Sequence, residues 1–141
     1  MARLILDSTV LVAAGRRGDQ LATLLTDGDD VAIAAVSAAE LLVGVELAGA
    51  GQREKRRAFV EDVLAVLPVE TYDLDVARAH AELLAHARRS GRPRGAHDLI
   101  IAATAVARRR NVLSDDVTGF EDLPGVGLVA AAVSRTSGPP S

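Results

Sequence analysis

The run Leu4-Ile5-Leu6-Asp7-Ser8-Thr9 decides how the rest of the chain is interpreted. Three apolar residues near the chain start, followed by an acid, are typical of a short buried strand with a polar residue at its carboxyl end. In an open α/β sheet the carboxyl ends of the strands lie at one edge, and ligands bind there. We therefore expect Asp7 at a ligand-binding edge, although a helix cap for the following segment explains Asp7 alone equally well.

Short apolar runs and helical patterns alternate along the whole chain, which is typical of a parallel sheet with helices on both faces. The apolar runs predict strands at residues 3–6, 31–36, 69–72, 111–114 and 126–130. The helical patterns predict helices at residues 8–14, 37–48, 53–67, 73–90 and 96–109, with a further piece capped by Asp19 that carries Leu21, Leu24 and Leu25. We expect residues 1–133 to form one domain and residues 134–141, rich in Ser and Pro, to be a disordered tail.

Composition and charge limit the possible functions of the 141 residues. A net charge of −3 argues against a protein that coats nucleic acid, but it allows an enzyme with an acidic site and basic surroundings. No apolar stretch reaches the roughly 20 residues of a membrane span, and the N-terminus does not resemble a signal peptide. Cysteine is absent, so we expect no disulfide, no thiolate metal site and a cytoplasmic location. Every basic residue except Lys55 is arginine. Genomic composition explains this preference for arginine at least as well as phosphate recognition does.

Three further acids occupy positions comparable to that of Asp7. Glu40 stands three residues after Ser37, the spacing of a capping box, and a carboxylate turned back to the Ser37 amide would face away from a central site. Asp98 opens an apolar helix, where the helix dipole favours an acid but a buried carboxylate needs a partner. Asp116 follows the strand that ends at Ser114, where a turn-forming role is also possible and Asp115 is the fallback.

Together the four acids indicate a metal site, because clustered carboxylates repel one another and a hard divalent cation relieves that repulsion. The chain also resembles PIN-domain ribonucleases, and most closely the VapC toxins of bacterial toxin–antitoxin pairs. The resemblance rests on four motifs in the family's order: Leu4 to Thr9, Ser37 to Gly44, His97 to Ala105, and Val112 to Asp116, with Phe120 and Leu123-Pro124-Gly125 following.

The resemblance implies a three-layer α/β/α sandwich with a five-stranded parallel sheet, Mg²⁺ or Mn²⁺ as cofactor, and hydrolysis of RNA phosphodiester bonds. It further implies a homodimer that a small VapB-like antitoxin inhibits. Its acidic quartet falls on Asp7, Glu40, Asp98 and Asp116, with Ser8 and Ser114 as polar neighbours. We expect Asp7 and Asp98 to hold the principal ion, with the other two acids acting directly or through water.

Basic residues near the acids are the candidates for RNA contact, because only three aromatic side chains exist to stack bases. Arg92 and Arg94 precede the Asp98 helix and are the first candidates, with Arg16 and Arg17 next. The three arginines at residues 108–110 end a helix, where cations are favoured, and are interpreted as structural.

The sequence disfavours several other functions. Metal-free acid–base catalysis is disfavoured because His80 and His86 lie on different faces of one helix and His97 has no second histidine near it. A haloacid-dehalogenase phosphatase would need an acid at Thr9, and a receiver domain would need a lysine at the site. The remaining alternative is a catalytically silent PIN-like domain that binds a partner; residues 40–66 are apolar enough for a partner groove, though they could equally be core.

Overall fold

The fold is seen in a computed structural model that describes residues 1–17 and 28–130. The predicted piece from Asp19 to Leu25 and the predicted tail at residues 134–141 lie outside these ranges. Within the described ranges five strands form one parallel sheet: β1 Arg3–Leu6, β2 Asp30–Ala34, β3 Val69–Glu70, β4 Asn111–Ser114 and β5 Leu128–Ala130. The helices of these ranges are α1 Ser8–Arg17, α2 Ala35–Glu46, α3 Ala50–Val66, α4 Leu74–Ser90 and α5 Ala96–Arg108, with a 3₁₀ turn at Val117–Gly119.

The order of the strands creates a crevice at the middle of the sheet. The order is β3-β2-β1-β4-β5, and every pair is parallel. The chain leaves β1 toward β2 on one side and returns much later to form β4 on the other, so β1 and β4 flank the point where the winding reverses. Such a reversal opens a crevice at the carboxyl ends of the two strands. The residues placed there are Asp7, after β1, and Asp115 and Asp116, after β4.

Both faces of the sheet are buried, which confirms the predicted three-layer α/β/α architecture. On one face, alternate strand residues such as Leu4, Leu6 and Ile33 form an apolar core with α1, α2 and α3. On the other face, Ile5 and Val112 belong to a second core with α4 and α5. Side chains alternate between the two faces because the repeat of a strand is two residues.

The ends of some elements differ from the prediction. Helix α1 runs through Gly15 to Arg17 instead of ending at Ala14, because Gly15 packs against Phe59: a Cβ there would lie 3.1 Å from the ring. Strand β3 is two residues long instead of four, since its partner β2 ends at Ala34. Strand β5 pairs with β4 only from Leu128 onward. Helix α3 begins at Ala50, in the segment predicted as a break.

A buried arginine closes the amino-terminal edge of the sheet. Arg110 is only 8% exposed. Its guanidinium donates to the backbone carbonyl and Oδ1 of Asp30 and to Oε1 of Glu70. Arg108 binds Glu70 and Asp73. The two arginines are structural, as predicted. The prediction relied on the favourable position of cations at the end of a helix, and the structure shows that acids from other elements also bind them. Among the helices in the described ranges, none has the length and apolar character that crossing a membrane requires.

Candidate active site

Asp7 lies at the centre of the crevice and is held from three sides. Its side chain follows β1 and its residue is only 2% exposed. Its Oδ2 accepts hydrogen bonds from the hydroxyls of Ser114 and Thr9, each at 2.8 Å. Its Oδ1 has a single long contact, 3.5 Å to the Ser8 hydroxyl. Because a carboxylate oxygen can accept two hydrogen bonds, Oδ1 retains capacity for a further ligand.

Glu40 faces the same crevice, and its predicted capping box is wrong. Helix α2 begins at Ala35, directly after β2, with Ala34 at the cap and no side-chain cap. Ser37 is therefore inside the helix, fully buried, and its hydroxyl has no hydrogen-bond partner among the described residues. Because Glu40 does not cap the helix, its carboxylate is available to other groups. Its Oε1 accepts a hydrogen bond from the Ser8 hydroxyl at 2.9 Å and lies 3.4 Å from Nδ1 of His97.

Asp98, in the first turn of α5, is the acid whose ionisation the site perturbs most clearly. Burial raises the pKa of Asp98 to about 6. Neighbouring negative charges act in the same direction and a histidine opposes them; in order of effect these groups are Asp7, Asp116, Glu40 and His97. The quartet predicted from the sequence therefore shares one electrostatic environment.

Two glycines fix the space around the Asp98 carboxylate. A Cβ at Gly119 would lie 2.5 Å from Asp98 Oδ2, closer than real side-chain contacts allow. A Cβ at Gly95, the residue before α5, would lie 3.2 Å from the same oxygen. The Val117–Gly119 turn thus packs directly on Asp98, and a larger residue at position 119 would displace the Asp98 carboxylate.

Asp116 stands at the exposed side of the crevice. The Ser114 hydroxyl accepts from the Asp116 amide at 2.9 Å, which places Asp116 next to the group that binds Asp7. Asp116 Oδ1 in turn accepts from the hydroxyl of Thr118 at 2.6 Å and from its amide at 3.2 Å. The effect of Asp116 on Asp98 favours Asp116 over Asp115 as the fourth acid, and this choice stays a prediction.

The donor chemistry of the crevice fits Mg²⁺ or Mn²⁺, because all four acids offer carboxylate oxygens and their mutual repulsion would be relieved by a cation. The arrangement is open: within residues 1–17 and 28–130, no three acidic or histidine side chains stand close enough together to ligate one ion. An open arrangement suits Mg²⁺, which keeps several waters and is held by one or two carboxylates. The residues present therefore fit a hydrated divalent ion.

The predicted RNA-binding arginines are occupied by protein contacts. Arg92 forms ion pairs with Glu121 and Asp122 at 3.2 and 2.8 Å, and Arg94 donates to the carbonyl oxygen of Thr118 at 3.1 Å. Their contact with RNA stays a prediction, as does that of Arg16 and Arg17. Sequence reasoning gave no site role to Thr9, Thr118 or Gly119; of these, only Thr9 carried a signal, as the second hydroxyl after Asp7.

Comparison with known proteins identifies the family. The model of the PIN domain matches residues 4–126. Ribonuclease VapC5 of Mycobacterium tuberculosis is 40% identical over 128 residues, which cover 89% of this chain and 90% of that protein. The chain belongs to the VapC group of the PIN-domain family. The resemblance inferred from the four motifs is thereby confirmed.

Two further relatives place this PIN domain among its neighbours. VapC ribonuclease Y4jK of Sinorhizobium fredii is 40% identical over 96 residues, covering 63% of this chain and 66% of that protein. The crystal structure of VapBC-5 from M. tuberculosis, a member of the VapBC family of toxin–antitoxin systems, matches with a TM-score of 0.75 and 32% identity, covering 92% of this chain and 98% of that one. The likeness spans the whole sheet, so the PIN-like fold expected from the sequence is confirmed.

Proposed function

We propose that this PIN domain is a metal-dependent endoribonuclease that hydrolyses RNA phosphodiester bonds, and that it is the toxin of a type II toxin–antitoxin pair. The observation that carries the proposal is the position of Asp98, whose pKa is raised by burial and by three other carboxylates at the switch point of the sheet. The names of the relatives, VapC ribonucleases, agree with the chemistry of this site.

Each acid has a role that follows from its surroundings. Asp7 and Asp98 would hold the ion: Asp7 through Oδ1, the oxygen with free capacity, and Asp98 through the carboxylate that Gly119 faces. Glu40 and Asp116 would act directly or through water. When bound, a divalent ion lowers the pKa of water and stabilises charge on a phosphate. The hydroxyls of Ser114 and Thr9 orient Asp7 by binding its other oxygen, so that Asp7 keeps one orientation during binding.

Cleavage of mixed RNA tests this activity directly. Purified protein is incubated with RNA in Mn²⁺, and the same reaction is repeated with a chelator and with the Asp98→Asn variant. We expect cleavage in Mn²⁺ alone. An exposed acid on α3, Asp62, supplies the matched control: Asp62→Asn removes one charge from an exposed position and should cleave normally. Cleavage that survives both the chelator and Asp98→Asn would contradict the proposal; its absence in wild type would favour a silent binding module.

A protein partner is part of the proposal. An apolar groove runs between α1, α2 and α3, is lined by residues such as Leu11, Val12 and Phe59, and reaches Glu40. Helix α2 exposes Leu42 and Val43, and the residue that follows it, Leu47, is also exposed. An antitoxin segment with apolar side chains would bury this surface and obstruct the acids at its end. Co-purification with the product of an adjacent small reading frame, with loss of RNA cleavage in the complex, tests the partner.

We also propose that the free toxin is a homodimer, on the strength of the family resemblance. Light scattering during size-exclusion chromatography measures the mass of the purified chain. A mass of one chain, about 14.7 kDa, would contradict the dimer without affecting the nuclease proposal.

A further inference from the structure

One side chain, that of Phe120, anchors the segment that closes on the acids, Val117–Asp122, in the core. The segment consists of a 3₁₀ turn followed by a turn at residues 120–122, and its residues other than Phe120 are exposed or half-buried. Yet this segment makes two contacts with the acids: Thr118 binds Asp116, and Gly119 packs on Asp98. Contacts from outside the segment therefore bear on the exposed residues on either side of Phe120.

The loop between α4 and α5 supplies these external contacts. Arg94 Nη1 donates to the Thr118 carbonyl, which is the backbone group next to the Gly119 that faces Asp98. Arg92 binds the far end of the segment through Glu121 and Asp122. The two loop arginines, Arg92 and Arg94, thus attach both halves of the Val117–Asp122 segment to the residues that precede Asp98.

The surroundings of Arg94 favour a role inside the protein over one at its surface. Its Nε is buried and has no hydrogen-bond partner among the described residues, so the inner part of the guanidinium is enclosed by protein. A side chain that contacts phosphate would instead present its donors to solvent. Arg92 is different: its side chain is 46% exposed, and exposed ion pairs contribute at most about 1 kcal/mol. Of the two, Arg94 is the main contact.

We propose that Arg94 is a positioning residue of the active site, which holds the Val117–Asp122 segment so that Thr118 orients Asp116 and Gly119 confines Asp98, and that Arg92 assists it. The role in the active site rests on the proposed nuclease function, whereas the claim that Arg94 holds the segment does not depend on that function. It replaces the expectation that both arginines contact RNA. An outer residue that orients an ion's ligands typically changes ion affinity by about 10-fold to 100-fold when it is mutated.

Three measurements on the full chain test the role of Arg94. The variants are Arg94→Met, which keeps the stem but has no donor, and Arg94→Lys, which keeps a donor. Arg89→Met removes the same charge from an exposed position on α4 and is the control. The measurements are hydrogen exchange of the amides at residues 118–121, Mn²⁺ affinity by calorimetry, and RNA affinity in chelator at several salt concentrations.

For Arg94→Met we expect faster exchange in the segment, Mn²⁺ affinity weakened by about 10-fold, and RNA affinity equal to that of Arg89→Met. Arg94→Lys should recover part of both losses, and Arg92→Met should show a smaller effect than Arg94→Met. Two results for Arg94→Met would overturn the proposal. One is unchanged hydrogen exchange in the segment. The other is a loss of RNA affinity together with a smaller salt dependence than in Arg89→Met, which would make Arg94 a phosphate contact. Failure of wild type to bind Mn²⁺ would contradict the nuclease proposal. Hydrogen exchange at residues 118–121 would still decide whether Arg94 holds the segment.

Discussion

Replacing Asp98 by asparagine should stabilise the protein in the absence of divalent ions. The side chain keeps its size, but the charge that burial and the neighbouring acids oppose is removed. Raising the pKa of Asp98 from 3.8 to about 6 corresponds to roughly 3 kcal/mol, at about 1.36 kcal/mol per unit. Because the carboxylate is partly open to solvent, we reduce the expected gain to about 1–2 kcal/mol.

The pH dependence of this gain has a definite sign. The pKa of Asp98 is higher in the folded state than in the unfolded state, so the folded protein binds the proton more tightly. The contribution of Asp98 to the free energy of unfolding therefore falls as pH rises from about 4 to about 6. The penalty is complete above about pH 6 and absent below about pH 4, so the advantage of Asp98→Asn should be larger at pH 8 than at pH 5.

Urea unfolding followed by circular dichroism, in chelator at pH 5 and pH 8, measures this gain. Asp62→Asn, which removes an exposed charge from α3, should change the free energy of unfolding little at either pH. Saturating Mn²⁺ should reverse the order, because an ion that binds only the folded wild type at 100 times its Kd adds about 2.7 kcal/mol. An Asp98→Asn protein that is less stable than wild type at pH 8 in chelator would refute the reasoning.

Other substitutions test separate parts of the structure. Gly119→Ala should lose most RNA cleavage while remaining folded, because its Cβ would lie 2.5 Å from Asp98 Oδ2; cleavage at the wild-type rate would show that the turn moves away freely. Ser114→Ala should cost about 1–3 kcal/mol in urea unfolding, since Asp7 and the Asp116 amide each lose a buried partner. Arg110→Ala should destabilise the protein, because the buried guanidinium that joins Asp30 to Glu70 is lost and each acid keeps a single arginine partner, Arg3 or Arg108; an unchanged free energy of unfolding would contradict that expectation.

The order of the elements and two of the acids could be predicted because local pattern determines them. The short apolar run before Asp7 predicts a buried strand, and β1 spans Arg3–Leu6 as predicted. The apolar helix after Asp98 likewise begins where expected, at Ala96. Each acid is thus placed by the element beside it, and the sheet's winding then brings the two elements together.

Contacts between distant segments were not predictable in the same way. The capping box at Ser37 is a sound local pattern, but β2 passes directly into α2, so the helix begins two residues earlier and Glu40 is free to face Ser8. The bond from Arg94 to Thr118 joins residues 24 apart, and no sequence pattern marks it. The sequence marks Gly119 only as a loop glycine, whereas the structure shows that a larger residue there would displace the Asp98 carboxylate.

Calorimetric titration with Mn²⁺ tests most directly whether the crevice between β1 and β4 is an ion site. We expect wild type to bind Mn²⁺ saturably at pH 7.5. The Mn²⁺ affinity should be weakened by at least about 10-fold in Asp98→Asn and in Asp7→Asn, and it should be unchanged in Asp62→Asn. No heat of binding in wild type, or equal affinity in all four proteins, would contradict this expectation.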